Sequence, residues 1–269
     1  MIQMTNYQFY QYLVNYNINQ ESITGIYCIN NKLTEQLLLD ISGINNAKGI
    51  YYRSKKVFDN KEYFDNRLYL NCNKQIFNTL LSKRISEELL KYNIILNENE
   101  FNIISKELRI RSEGKLDDSY TFTKEGIALS NNALAISTYK YPILLNPFEN
   151  IDSIYKLQYL KDKYKRKSLL VGITNIKKYE NFLDHLILFG FRKIHILNPN
   201  EQLIVFENII NQDMVIEEAN LNDYIIHKNI QNESIIIKSD INSSQLKALN
   251  NLKVKKKAIS IYDLGEYLC

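Results

Sequence analysis

Six short apolar runs, separated by segments long enough to form helices, occupy the second half of the chain and constrain its fold more than any other feature. The runs are YPILLN, SLLVGIT, KIHILN, MVIEE, SIIIKS and AISIYD, all of them after residue 140. Continuous Ile, Leu and Val runs are typical of parallel strands that helices cover on both faces. The pattern therefore predicts an α/β domain with a mostly parallel, Rossmann-like sheet over residues 126–269.

Two segments between these runs have helical spacing. Ile176, Tyr179, Leu183 and Leu186 recur every three or four residues, which predicts a helix over 176–190 that packs on the sheet. The segment INSSQLKALNNLKVKKK predicts a second helix, with lysines in its last turn.

The first half of the chain has a different pattern. GIYYRSKKVF and YFDNRLYLNC indicate two strands, and three short helical segments follow them: NKQIFNTLLSKR, SEELLKYNI and NENEFNIISKELRI. Asn97 and Glu100 have the spacing of a capping pair for the third helix. This order predicts a winged-helix-like module with its core at 49–112 inside a first region, 1–115. SITGIYCIN and KLTEQLLLDISG, a strand and a helix, would lead into it, and the polar residues 112–126 would connect the two domains.

Composition and charge exclude several classes of protein. Hydrophobic residues make up 45% and charged residues 24% of the chain, as in globular proteins. The formal net charge of +4 is too small to indicate nucleic acid or a membrane as a partner. The start, MIQMTNYQFYQYLV, lacks the pattern of a signal peptide, and no run approaches the ~18 apolar residues of a membrane span. We therefore expect a cytoplasmic protein.

The turn after SLLVGIT is where a Rossmann-like sheet would hold a nucleotide. Taking Gly172 as the first glycine of G-x-G-x-x-G, the other two positions are Thr174 and Lys177, and Asn198 stands where an acid would bind a ribose. Side chains at glycine positions keep phosphate away from the helix N-terminus. The sequence thus predicts a vestigial turn and no bound cofactor.

Catalytic and metal sites find little support in the sequence. His185, His195 and His227 lie near no recognisable Ser or Cys nucleophile, and neighbouring acid pairs such as Glu217 and Glu218 diverge on a strand. The three cysteines, at 28, 72 and 269, form no C-x-x-C pair. We expect neither catalytic residues nor a metal ion.

The three-helix module could bind DNA or a peptide. Its third helix carries Glu98, Glu100 and Glu107 against Lys106, Arg109 and Arg111, so it is nearly neutral where DNA binding needs positive charge. An edge strand at 63–72 beside the helix at about 98–110 suits an added peptide strand, although the same apolar residues could equally form the core of the module. The candidate peptide-binding residues are Tyr63, Phe64, Arg67, Leu68, Tyr69, Leu70, Phe101, Ile104, Lys106 and Leu108.

Two segments carry a family resemblance. KSLLVGITNIKKYENFLDHLILFGFRKIHILNPN resembles the opening unit of ThiF-like relatives of ubiquitin-activating-type adenylating enzymes. A second unit of that family, a strand followed by a helix and a strand, resembles the segment LNDYIIHKNIQNESIIIKSDINSSQLKALNNLKVKKKAISIYDLGEYL. Asp240 stands at the position of an acidic residue of the family. The resemblance covers about residues 160–269. It implies a degenerate, Rossmann-like ThiF-type domain without the family's glycines and without its C-x-x-C zinc ligands.

With a winged-helix-like recognition element (RRE) in front, the chain most resembles the ocin-ThiF-like partners of YcaO cyclodehydratases, which act in thiopeptide and related bacteriocin biosynthesis. The resemblance implies a non-catalytic scaffold that binds the leader of a ribosomally made precursor peptide. It would deliver the peptide's core to the YcaO enzyme for thiazoline formation, with a flavin dehydrogenase as a further partner and a homodimer left open. The alternatives are a divergent ThiF-like, ATP-dependent adenylating enzyme and a DNA-binding regulator.

Overall fold

The computed structural model describes residues 2–18, 21–74, 89–90, 94–112, 115–116, 123–138, 140–165, 167–251 and 254–268. The chain begins with an antiparallel sheet. Its strands are β1 (Ile2–Phe9), β2 (Tyr12–Ile18), β4 (Ile50–Tyr52) and β5 (Lys55–Lys56), in the order β2-β1-β4-β5. Buried and exposed side chains alternate along β1 and β2, so one face of this sheet faces the core.

A six-stranded sheet forms the centre of the molecule. It contains β3 (Ile23–Cys28), β6 (Arg67–Asn71), β9 (Tyr141–Leu145), β10 (Leu169–Ile173), β11 (His185–Phe189) and β12 (Ile194–Leu197). Their order is β12-β11-β3-β10-β9-β6. All neighbours pair in parallel except β11 and β12, which are antiparallel.

Both faces of the central sheet are buried, which explains its continuous apolar runs. Along β9, Ile143 and Leu145 belong to one core cluster and Leu144 to another. The first cluster also contains the antiparallel sheet and helix α1 (Asn31–Ile41). The second contains α3 (Glu98–Glu107) and α4 (Lys124–Ser137), together with α5 (Ile154–Tyr164). A short helix, α2 (Lys61–Asn66), leads directly into β6.

A second antiparallel sheet follows near the C-terminal end. Its strands are β13 (Gln202–Glu207), β14 (Ile225–Asn229), β15 (Ser234–Lys238) and β16 (Lys255–Ser260), in the order β14-β15-β13-β16. Helices α6 (Gln212–Glu218) and α7 (Ser243–Asn251) accompany it, and a 3-10 helix, Ile261–Tyr267, ends the described chain. Earlier in the chain, β7 (Arg111–Ser112) and β8 (Lys115–Leu116) form a two-stranded ribbon.

Several predicted elements are confirmed. Strands occur in SITGIYCIN, YPILLN, SLLVGIT, KIHILN and SIIIKS, and helices in KLTEQLLLDISG and in the third helical segment. The side chain of Asn97 caps that third helix by accepting a hydrogen bond from the backbone N–H of Glu100. The first two helical segments, 73–84 and 86–94, lie mostly outside the described residues.

Four predictions of elements are wrong. The helix after SIIIKS does not end in a turn of lysines, because Lys255–Ser260 forms β16. The helix over 176–190 is a short 3-10 helix, Ile176–Tyr179, followed by β11, because the apolar run His185–Phe189 pairs with both β3 and β12. The run MVIEE belongs to α6 and not to a strand. In YFDNRLYLNC only the second half is a strand, because Asn60 caps a helix over the first half.

The predicted fold class, a winged-helix module followed by a degenerate Rossmann-like ThiF-type domain, is also wrong. Strand β3 comes from the N-terminal region, yet it lies between β10 and β11 from the second half of the chain. The runs after residue 200 form an antiparallel sheet and not further parallel strands. Residues from both sides of the predicted boundary at 115–126 thus share one sheet, and the division into domains stays a prediction.

Candidate functional site

The strongest candidate for a functional site is the carboxyl edge of the central sheet. The parallel strands β3, β6, β9 and β10 all end at this edge. In open α/β sheets, ligands bind outside the carboxyl ends of the strands, where the connections to the next elements leave room. Four connections meet here, and each of them supplies polar side chains.

The connection from β3 to α1 is very short. Only Ile29 and Asn30 lie between the last residue of β3 and the first residue of α1. The side-chain oxygen of Asn30 accepts a hydrogen bond from the backbone N–H of Lys32, and its carbonyl accepts one from Leu33. The residue before the turn, Cys28, is buried, and burial raises the pKa of its thiol to about 12. Two N-terminal amides of α1 are therefore already occupied, and Cys28 is not a reactive thiolate.

The connection after β9 is held by Asn146, which is buried and has a positive φ of 52°. Its side-chain oxygen accepts hydrogen bonds from the backbone N–H of Thr174 at 3.0 Å and from the Thr174 hydroxyl at 3.1 Å. The same hydroxyl lies 3.2 Å from Oε1 of Glu149. These contacts tie the end of β9 to the end of β10.

The two carboxylates at this edge both have partners. Glu149 accepts a hydrogen bond from the side-chain amide of Asn73 at 2.9 Å. Glu35, on α1, accepts one from Asn71 at 3.1 Å and lies 3.4 Å from the ammonium of Lys74. Within the described ranges no group of three or more His, Cys, Asp or Glu side chains could hold a metal ion. The edge is thus a closed network of amides and carboxylates.

The predicted vestigial turn lies beside this network, but its glycine serves packing. Gly172 is inside β10, where an added Cβ would lie 2.4 Å from Cδ1 of Leu38 on α1 and 3.0 Å from Leu145. Thr174 belongs to the network described above, and Lys177 forms an ion pair with Asp263. Glycine at 172 allows α1 to approach the sheet, so it is not the start of a phosphate turn.

The candidate peptide-binding residues lie elsewhere. Strand β6 is an edge strand of the central sheet and pairs in parallel with β9, whereas the prediction placed it in a winged-helix-like module. Lys106 is exposed, and Phe64, Arg67 and Tyr69 are partly buried. The remaining six are buried in the core: Tyr63, Leu68, Leu70, Phe101, Ile104 and Leu108. A peptide contact of these residues stays a prediction that the structure does not test.

Sequence reasoning missed most of the network at the carboxyl edge. Asn146 directly follows the apolar run ILL, and Asn30 directly precedes an amphipathic helix. Polar residues at the ends of buried apolar runs are the signal in the sequence that indicates this edge. Glu35 and Asn71 gave no local signal, because only the fold brings α1 and β6 together.

Solved structures with a similar fold are ATP-binding subunits of ABC transporters. A protein described as a cobalt transport ATP-binding protein matches with a TM-score of 0.58 and 17% identity, over 94% of this chain and 99% of its own. An ABC transporter ATP-binding protein from Pyrococcus furiosus matches at 0.55 and 14%, over 70% and 96%. A dimeric ATP-binding cassette with bound ADP and Pi matches at 0.54 and 14%, over 74% and 98%. No protein-family model and no curated protein matches the sequence.

These likenesses correct the predicted family, function and partners. The ThiF-like resemblance is wrong, because the similar folds are ABC cassettes. The predicted function is wrong as well, namely a scaffold that binds a precursor leader for a YcaO cyclodehydratase and a flavin dehydrogenase. The predicted place of the chain in thiopeptide or bacteriocin biosynthesis is wrong for the same reason. The expectation that the chain is no enzyme is contradicted too, because its structural neighbours are ATP-binding proteins, one of them with ADP and Pi.

ATP is the ligand that this fold implies, and the β3–α1 connection does not fit its phosphates. A phosphate loop places G-x-x-x-x-G-K-[ST] between a strand and a helix, with free backbone N–H groups around the phosphates. Here two residues without glycine fill that place, and the amides of Lys32 and Leu33 bond to Asn30. None of the eight glycines in the sequence starts such a motif. The chain has the fold of an ABC-transporter ATP-binding cassette, and its sequence contains no G-x-x-x-x-G-K-[ST] phosphate loop.

Proposed function

We propose that the chain is a cassette subunit of an ATP-driven membrane transport complex. The observation that carries the proposal is the match to the cobalt transport ATP-binding protein, which extends over nearly the full length of both chains. A fold kept over this length includes the antiparallel sheet, the central sheet and the helices between them.

The nucleotide-dependent step would take place in a dimer with a second cassette that carries a phosphate loop. Two observations favour this arrangement. The β3–α1 turn of this chain does not suit a triphosphate, and similar cassettes have been solved as dimers. ATP hydrolysis would then be an activity of the assembled complex to which this chain contributes one half.

The complex would lie at the cytoplasmic face of a membrane. No helix in the part of the chain that the structure describes is long and apolar enough to cross a bilayer. Attachment to the membrane would therefore come from a partner subunit that spans it.

Purification of the native complex tests the proposal. The chain would be tagged at its C-terminus in its own host, extracted from membranes in mild detergent, and assayed for bound subunits and for ATPase activity. We expect a membrane-spanning subunit and a second cassette with G-x-x-x-x-G-K-[ST] in the same complex. Replacing the lysine of that motif in the second cassette should abolish hydrolysis without dispersing the complex. Recovery of the chain alone, with no associated ATPase, would contradict the proposal.

A further inference from the structure

A cavity of about 390 Å³ lies at the amino edge of the central sheet, opposite the carboxyl edge. Tyr141 starts β9, Ser168 directly precedes β10 and Ser137 ends α4, and all three line the cavity. Tyr63 of α2 and Tyr52 of β4 also line it. Its size falls within the range of about 300–1,000 Å³ that is usual for small-molecule sites.

The wall of the cavity suits a flat apolar group. The rings of Tyr52 and Tyr63 lie 5.1 Å apart between centroids and are tilted by 41°. The hydroxyl of Tyr63 donates a hydrogen bond to the carbonyl of Ile41 at 2.8 Å, which fixes its ring. The buried side chains of Ile2 and Ile18 add apolar surface. Aromatic rings pack against such a surface in offset or edge-on arrangements.

Two lysines bring positive charge to the cavity. The ammonium of Lys167 donates hydrogen bonds to the carbonyls of Ala135, Ile136 and Thr138 at the end of α4, which hold it in place. Among the described residues no carboxylate forms an ion pair with Lys167 or with Lys140, although Glu100 also lines the cavity. Burial lowers the pKa of both lysines, because desolvation disfavours the ammonium. A bound anion would relieve that cost.

One buried polar group at the cavity also lacks a partner among the described residues. Ser137 lines the cavity and is 1% exposed, and its hydroxyl has no hydrogen bond. Buried polar atoms are nearly always hydrogen-bonded, so a hydroxyl without a partner beside a cavity points to a bound group.

The charges around the cavity limit the ligand to a single negative charge. The charged residues that line it are Lys140, Lys167 and Glu100. One positive charge remains in excess, which matches a carboxylate and not a phosphate dianion. We propose that this cavity binds a small aromatic monocarboxylate, with its ring against Tyr52, Tyr63 and Tyr141 and its carboxylate at Lys140 and Ser137.

Calorimetric titration of the full chain with 2-naphthoate tests the proposal, and neutral 2-naphthamide serves as the ligand control. We expect one saturable site for naphthoate. Its affinity should be at least about tenfold higher than that of the neutral amide, a difference of about 1.4 kcal/mol in binding free energy. Lys140→Gln should weaken naphthoate binding by about the same factor. Lys165→Gln, which removes an exposed lysine of the segment after α5, should leave it unchanged.

Three results would overturn the proposal: no saturable binding of naphthoate up to about 1 mM, equal affinity for acid and amide, or unchanged binding in Lys140→Gln. If Lys140→Gln fails to fold, the comparison of acid with amide on the unmodified chain still decides. None of these results depends on assembly into a transport complex, so failure here leaves the proposed function unaffected.

Discussion

At the level of single residues, Gly172 and Gly265 differ in the space that a side chain would find: Gly172 is closely packed and Gly265 is not. A Cβ at Gly172 would lie 2.4 Å from Leu38, whereas the nearest atom to a Cβ at Gly265 is 4.0 Å away on Ile176. We expect Gly172→Ala to destabilise the fold by about 1–3 kcal/mol, because overpacking displaces α1 from the sheet. Gly265→Ala is the matched control and should change stability by less than about 0.5 kcal/mol. Urea denaturation measures both, and equal effects would show that Gly172 is not a packing glycine.

His195 should make stability depend on pH. It is 5% exposed, and burial lowers its pKa from 6.5 to about 4. Because the folded pKa is the lower one, the unfolded chain takes up the proton first as the pH falls. Stability at neutral pH should therefore be lost between about pH 6.5 and 4, by about 3 kcal/mol from this residue.

Comparison with His195→Gln isolates this contribution from that of the carboxylates. Unfolding free energies would be measured from pH 7 to pH 4 for both proteins. The difference in unfolding free energy between the two proteins should become smaller as the pH falls. A difference that does not change with pH would show that His195 is not buried in its neutral form.

At the scale of elements, the β3–α1 turn depends on one cap. The side chain of Asn30 accepts a hydrogen bond from the N–H of Lys32. Asn30→Ala should cost about 1 kcal/mol of stability, because that amide loses its partner. Asn30→Asp keeps the acceptor and places a negative charge at the helix N-terminus, so it should retain stability. Thermal unfolding tests this, and equal losses in both variants would rule out capping.

The elements also show how far the sequence could predict this fold. The apolar runs at 141–146 and 168–174 predict their strands directly, because strands buried on both faces have continuous apolar side chains. The strand at His185–Phe189 was missed, because a helical spacing that began at Ile176 extended through it. Its pairing with β3, about 160 residues earlier in the chain, decides its structure. Local periodicity contains no information about such a contact.

The candidate site shows the same limit. The cap at Asn97 could be predicted because both of its partners lie within one turn. The bond between Asn71 and Glu35 joins residues from separate elements, and it became visible only with the sheet order. The ThiF-like resemblance failed for a related reason, since strand-helix-strand units with similar sequences occur in several α/β folds.

At the scale of the whole molecule, the chain has a cassette fold, but its β3–α1 turn lacks glycine and its N-terminal amides already have partners. The proposed function therefore places ATP binding in the assembled complex and not in this chain alone. Titration with Mg-ATP tests this most directly, first with the purified chain and then with the complex extracted from membranes through its tag. We predict no saturable binding to the chain alone up to about 1 mM, and saturable binding with hydrolysis by the complex. Stoichiometric binding of Mg-ATP to the isolated chain would show that this chain holds a triphosphate by itself.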